Sequence, residues 1–138
     1  RNGSRRRRPR EHRPVNYLWV MAGAVVGAPL RYFIGTHFPG SNWGSIPVGT
    51  YFVNITGCLL IGLVLGFAEA RDSLPREARL LLVTGFLGSY TTFSAFGYET
   101  YDLARTDELF RAIFYVVASV VAGVLAAWAG ANLSRLVF

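Results

Sequence analysis

The residues best placed to do chemistry in this 138-residue chain lie inside apolar runs, and one run is unusual. Residues 80–99 read LLLVTGFLGSYTTFSAFGYE. Gly85, Gly88, Ser89, Thr91, Thr92 and Ser94 alternate there with Phe86, Tyr90, Phe93 and Phe96. Two glycines and a run of hydroxyl-bearing and β-branched residues make a poor helix. Unwound backbone at membrane depth is tolerated only where protein or a water-filled cavity covers it. A break there would free carbonyl oxygens able to bind a cation, and would leave helix ends whose dipoles face ions. Phe93 and Phe96 are three apart and share a helix face. A phenyl ring is electropositive at its edge, so such edges can face a small anion without a full positive charge. The plainer reading is that these rings pack against lipid or neighbouring helices.

Two more polar groups fall within apolar sequence, where they are costly and mark functional candidates. Asn54 lies about two turns into the second run, with Thr50 and Thr56 nearby. Its amide can donate two hydrogen bonds. It either ties two helices together or turns its NH2 toward a pathway and solvates an anion. Arg31 lies near the end of the first run. It either snorkels to the interface or pairs with an acid such as Glu99, or it draws an anion into a vestibule.

The elements that position these groups follow from composition. The chain is 52% hydrophobic and 16% charged, against about 25% charged in a soluble domain. Four stretches have the roughly 20 apolar residues that a spanning helix needs. They cover residues 15–38, 47–70, 80–98 and 109–133, with Pro47 near a first turn, where proline is tolerated. The expected fold is therefore an all-α, four-helix transmembrane domain over residues 15–138, with a broken third helix, in the cell membrane. Small residues recur at helical spacing: Gly23 with Gly27, Gly62 with Gly66, and Ala118, Ala122 and Ala126. Such faces let backbones approach closely, either within one chain or at a subunit interface. Four short helices bury little surface, so an oligomer is expected.

Charge is unevenly spread. All 14 basic residues are Arg, and seven lie within the first 13 positions. Residues 1–14 are polar, proline-broken and without apolar periodicity, and read as a disordered tail. A polybasic arm can bind nucleic acid or anionic lipid. Apolar sequence begins directly afterwards, so we read the tail as an anchor holding the N-terminus in the cytoplasm, and expect no nucleic-acid partner. With the tail counted, both termini are expected inside; without it, the charge bias is weak. The apolar stretch after the tail is too long for a cleaved signal peptide, and further spans follow it.

Several classes are excluded. A single cysteine, Cys58, gives no internal disulfide framework, and two histidines make no metal cluster. Phosphate-loop, zinc-protease, serine-hydrolase and dinucleotide motifs are missing, and no catalytic constellation is visible, so an enzyme is not expected. A small proton-coupled exporter would need a carboxylate deep in a span, whereas Glu69 and Glu99 lie at span ends. A non-transporting assembly factor would leave Asn54 and the polar run of the third span unexplained.

The segments GAPLRY (27–32), PVGTYFVNITG (47–57) and TGFLGSYTTFSAFGYET (84–100) carry a resemblance. In order and spacing they resemble the small fluoride channels called Fluc or CrcB, from about residue 17 to the end. The resemblance implies four-helix subunits paired as antiparallel, dual-topology dimers with two pores. It implies passive fluoride export, exclusion of chloride, fluoride resistance, and a structural sodium ion at the dimer centre.

Residue by residue, the resemblance makes Asn54 the pore amide and Phe93 and Phe96 the ring edges lining the path. Thr92 and Ser94 belong to the same polar stretch, and Tyr115 and Ser119 to a polar track on the fourth helix. Gly88 and Thr91 would hold sodium through backbone carbonyls. Arg31 and Glu99 match the vestibule arginine and the acid closing the motif. Two departures stand out. Gly123 lies where the track often continues with a hydroxyl. The Arg-rich tail opposes the outward-facing orientation that half the subunits of a symmetric dimer adopt. A fixed-orientation subunit paired with a homologous partner is the alternative to a homodimer.

Overall fold

The computed structural model describes residues 14–38, 46–71 and 74–137. The Arg-rich tail lies outside the described residues except for Pro14, as does most of the loop between the first two spans. Helix α1 is Pro14–His37 and α2 is Val48–Arg71. The third passage is α3, residues 76–90, followed by α4, Phe93–Arg105. Helix α5 is Leu109–Val137. All four passages are long and apolar enough to cross a membrane. At 1.5 Å per residue, the 24 residues of α1 or α2 reach about 36 Å, enough for a hydrocarbon core of about 30 Å.

The expected broken third helix is present, but the break falls at Thr91 and Thr92. Gly85 and Gly88 both stay helical. Leu80–Leu87 forms wide, π-helical turns, and the Gly88 N–H donates to the Val83 carbonyl five residues back. The third passage also runs on to Arg105, past the expected end at residue 98.

Packing explains the small-residue stripes. Helix α1 lies chiefly along α3, and α2 chiefly along α5, each pair running in the same direction. A Cβ on Gly23 would sit 2.1 Å from the Leu81 carbonyl oxygen, and one on Gly62 would sit 2.1 Å from that of Ala127. Both GxxxG faces are thus used within the chain, with backbone against backbone. Two small cores result. Val53, Leu87 and Tyr90 form one, with Phe86 and Ile61 against it. Leu103, Ala112 and Tyr115 form the other, with Tyr51 and Phe96 against it. Most of the remaining apolar surface faces outward. Phe93 and Phe110, at 84% and 82% exposure, have little cover from the described residues of their own chain.

Candidate anion pathway and cation site

The break is built by side chains that take backbone partners away from the helix. Thr91 (φ −81°, ψ 158°) and Thr92 (φ −147°, ψ 114°) are extended. The Thr91 N–H still donates to the Leu87 carbonyl at 3.0 Å, and its hydroxyl donates to the same oxygen at 2.9 Å. The Thr92 N–H does not continue the helix. It donates to Asn54 Oδ1 at 2.9 Å, and Asn54 Nδ2 donates back to the Thr92 carbonyl at 3.1 Å. Thr92 then caps α4, its Oγ1 accepting from the Ala95 N–H at 3.2 Å. Of the two readings of Asn54, the helix tie is therefore present, and it spans 38 residues of sequence. The tie uses one of the two amide hydrogens and leaves the second free to donate.

The same exchange decides what happens to the carbonyls. In a continuous helix Gly88 C=O would accept from Thr92 N–H, and Thr91 C=O from Ala95 N–H. Asn54 Oδ1 takes the first of these donors and Thr92 Oγ1 takes the second. Gly88 is exposed and lines the same cavity as Phe93.

Gly57 makes room for this turn. A Cβ there would lie 2.1 Å from Thr91 Cγ2, while its other neighbours would be 3.6 Å or more away. We expect Gly57→Ala to displace Thr91 and abolish folded function, and Gly57→Ala with Thr91→Ser to restore it, because serine lacks that methyl. Ion flux and thermal stability of the single and double variants check this.

An open cavity of about 380 Å³ runs beside the break. Asn54, Gly88, Thr91, Thr92, Phe93, Phe96 and Ser119 all line it, with Cys58 and Val120 completing one wall. Among the described residues no charged side chain lines it. Ser119 Oγ is closed off from solvent and has no hydrogen-bond partner among the described residues. The rings of Phe93 and Phe96 lie 5.8 Å apart, tilted by 44°. Beside Gly123, where a Cβ would be 3.4 Å from it, lies the Sγ of Cys58, which stands where the hydroxyl track gives out.

The remaining candidates lie elsewhere. Glu99 accepts from Thr50 Oγ1 at 2.6 Å and from Tyr115 OH at 2.9 Å. Tyr115 is 1% exposed and sits outside the cavity wall, its ring 5.2 Å from that of Phe96. Its hydroxyl proton is directed to Glu99. Arg31 is half-buried, and among the described residues no acid pairs with it; Glu99 is bound by hydroxyls instead. Ser94 is exposed, with its Oγ 3.3 Å from Thr92 Oγ1. Sequence reasoning did not single out Thr50, Gly57 or Cys58. The available signal was spacing: they lie four before, three after and four after Asn54, on its helix face.

The arrangement offers neutral donors to an anion and neutral oxygens to a cation. A family model described as "CrcB-like protein, Camphor Resistance (CrcB)" matches residues 18–131. The chain belongs to the CrcB family. Relatives support the assignment over most of the chain. The "Fluoride-specific ion channel FluC" of Chloroflexus aurantiacus is 45% identical over 123 residues, covering 87% of this chain and 95% of that protein. "Fluoride-specific ion channel FluC 1" of Streptomyces avermitilis is 46% identical over 116 residues, covering 84% and 93%. The "Fluoride-specific ion channel FluC" of Acidobacterium capsulatum is 41% identical over 116 residues, with the same coverage. Among the described residues of this CrcB chain no group of three or more His, Cys, Asp or Glu could hold a metal. The oxygens freed at the break are carbonyls, which suit a hard monovalent cation.

Proposed function

We propose that the chain is a subunit of a fluoride-selective channel that lets fluoride leave the cytoplasm passively, excludes chloride and so confers fluoride resistance. It is a channel and not an enzyme. The observation that carries this reading is the cavity beside the break. It is lined by Asn54, which keeps a spare amide hydrogen, by Ser119, whose hydroxyl has no partner among the described residues, and by the tilted rings of Phe93 and Phe96, with no charged side chain among the described residues of its wall. Relatives that cover most of the chain carry the name of a fluoride channel.

The physics favours such a lining. Removing a small anion from water costs tens of kcal/mol in an apolar medium by Born estimates. The pathway must replace water at nearly that strength, yet not hold the ion so tightly that it stays. Weak neutral donors in series meet both demands better than a buried arginine. Asn54 and Ser119 donate N–H and O–H hydrogens, and ring edges add positive potential between them. A narrow path also rejects larger halides by size. With no acid among the described residues of the cavity wall, the proton-coupled exporter loses its coupling group.

Sodium held by the carbonyls of Gly88 and Thr91 would supply fixed positive charge near the pathways without entering them. The loss of both helical partners supports that role. The exposure of Gly88 and Phe93 supports a second subunit closing the cavity, in an antiparallel dimer with two pores. The partner is a second copy or an oppositely oriented homologue, the latter favoured by the arginine tail.

Growth tests the proposal in cells. Expressed in bacteria stripped of their own fluoride export, the chain should restore growth on fluoride in acid medium, and Ser119→Ala should weaken that rescue. Failure of a correctly inserted chain, alone and with a homologous partner, would contradict it.

A further inference from the structure

The break is not a property of residues 91 and 92 alone. Threonine tolerates both helical and extended backbone, and nothing local forbids Thr92 N–H from closing on Gly88 C=O. What competes for that N–H is Asn54 Oδ1 at 2.9 Å, on another helix. The second amide contact, from Nδ2 to the Thr92 carbonyl at 3.1 Å, fixes both ends of the same residue. One step on, Thr92 Oγ1 competes with Thr91 C=O for the Ala95 N–H at 3.2 Å. Among the carbonyls that lose their helical donors at the break, those of Gly88 and Thr91 are therefore kept free by two side-chain acceptors, and Gly57 provides the space for the displaced Thr91.

We propose that Asn54 and Thr92 are positioning residues for the cation site, holding the helix open so that the carbonyls of Gly88 and Thr91 stay free. This rests on the reading of the break as a sodium site, and it gives Asn54 a task separate from facing the anion. Supporting residues of this kind typically change ion affinity by roughly 10–100-fold when removed.

The test is thermal unfolding of the purified full-length protein in detergent, titrated with sodium against the bulky cation N-methyl-D-glucamine. The wild-type midpoint should rise with sodium. Asn54→Leu, which has similar size and no acceptor, should need roughly 10–100-fold more sodium for half the effect. Thr92→Val should shift the same way, and Thr92→Ser, which keeps the acceptor, should restore the wild-type response. A merely structural role would lower the sodium-free midpoint and leave the half-effect concentration unchanged. That outcome, with a responsive wild type, overturns the proposal while leaving the cation site standing. No sodium response in the wild type overturns the cation site itself, and the proposal with it. Should Asn54→Leu fail to fold, the Thr92 pair decides by the same titration.

Discussion

Replacing Phe96 by isoleucine should reduce fluoride flux by roughly 100-fold, equivalent to about 2.7 kcal/mol on the permeation barrier. An isoleucine fills comparable space but has no electropositive edge. Phe96 lines the cavity and leans on Tyr115 at 5.2 Å, so the ring's orientation is fixed by the Tyr115–Glu99–Thr50 hydrogen bonds. Phe93→Ile should also suppress flux. Its structural signature differs, because Phe93 is 84% exposed within its own chain and contributes little to that chain's core. Phe93→Ile should therefore leave the helical content of the chain unchanged, while Phe96→Ile lowers stability modestly. Flux in liposomes, with circular dichroism on the same samples, separates the two effects. Normal conduction by both variants would remove the rings from the pathway.

The second large effect concerns folding. Gly62→Ala should cost about 3 kcal/mol or more, because the added Cβ meets the Ala127 carbonyl oxygen at 2.1 Å. That atom is backbone and cannot rotate aside, so α2 and α5 must separate along their main contact. Gly35→Ala is the control. Among the described residues nothing lies within 4 Å of a Cβ there, so the substitution should stabilise the helix by up to about 1 kcal/mol. Thermal unfolding of both variants checks the contrast. Equal behaviour would mean that the α2–α5 contact is looser than described.

Much of this architecture was legible in the sequence, for physical reasons. Apolar length marks a spanning helix whatever its neighbours do, and the polar run after Leu87 marked the third helix as breakable. The place of the break was less legible. Gly85 and Gly88 are the obvious weak points by propensity, yet both remain helical, because wide turns and close packing on α1 hold that segment. The helix opens where a side chain 38 residues away intercepts an N–H, and no local rule reports that. Glu99 illustrates the same limit. In the sequence it reads as an acid that could pair with Arg31, whereas its partners are two hydroxyls. Thr50 stands out in the sequence only as a neighbour of Asn54, and Tyr115 reads as part of the fourth-helix polar track; the fold brings both to one carboxylate. Cys58 beside Gly123 is a third case: a gap in one helix's polar track is met by a side chain from another.

Ion efflux from liposomes containing this chain alone tests the central claim most directly. Vesicles loaded with potassium fluoride and, separately, with potassium chloride are diluted into medium free of both anions, a potassium ionophore carries the balancing charge, and the released anion is followed with a selective electrode. The account gives rapid fluoride release and chloride release no faster than from empty vesicles, with a homologous partner added if a single chain cannot assemble in both orientations. Equal release of both anions, or no fluoride release by folded dimer with and without that partner, would contradict it.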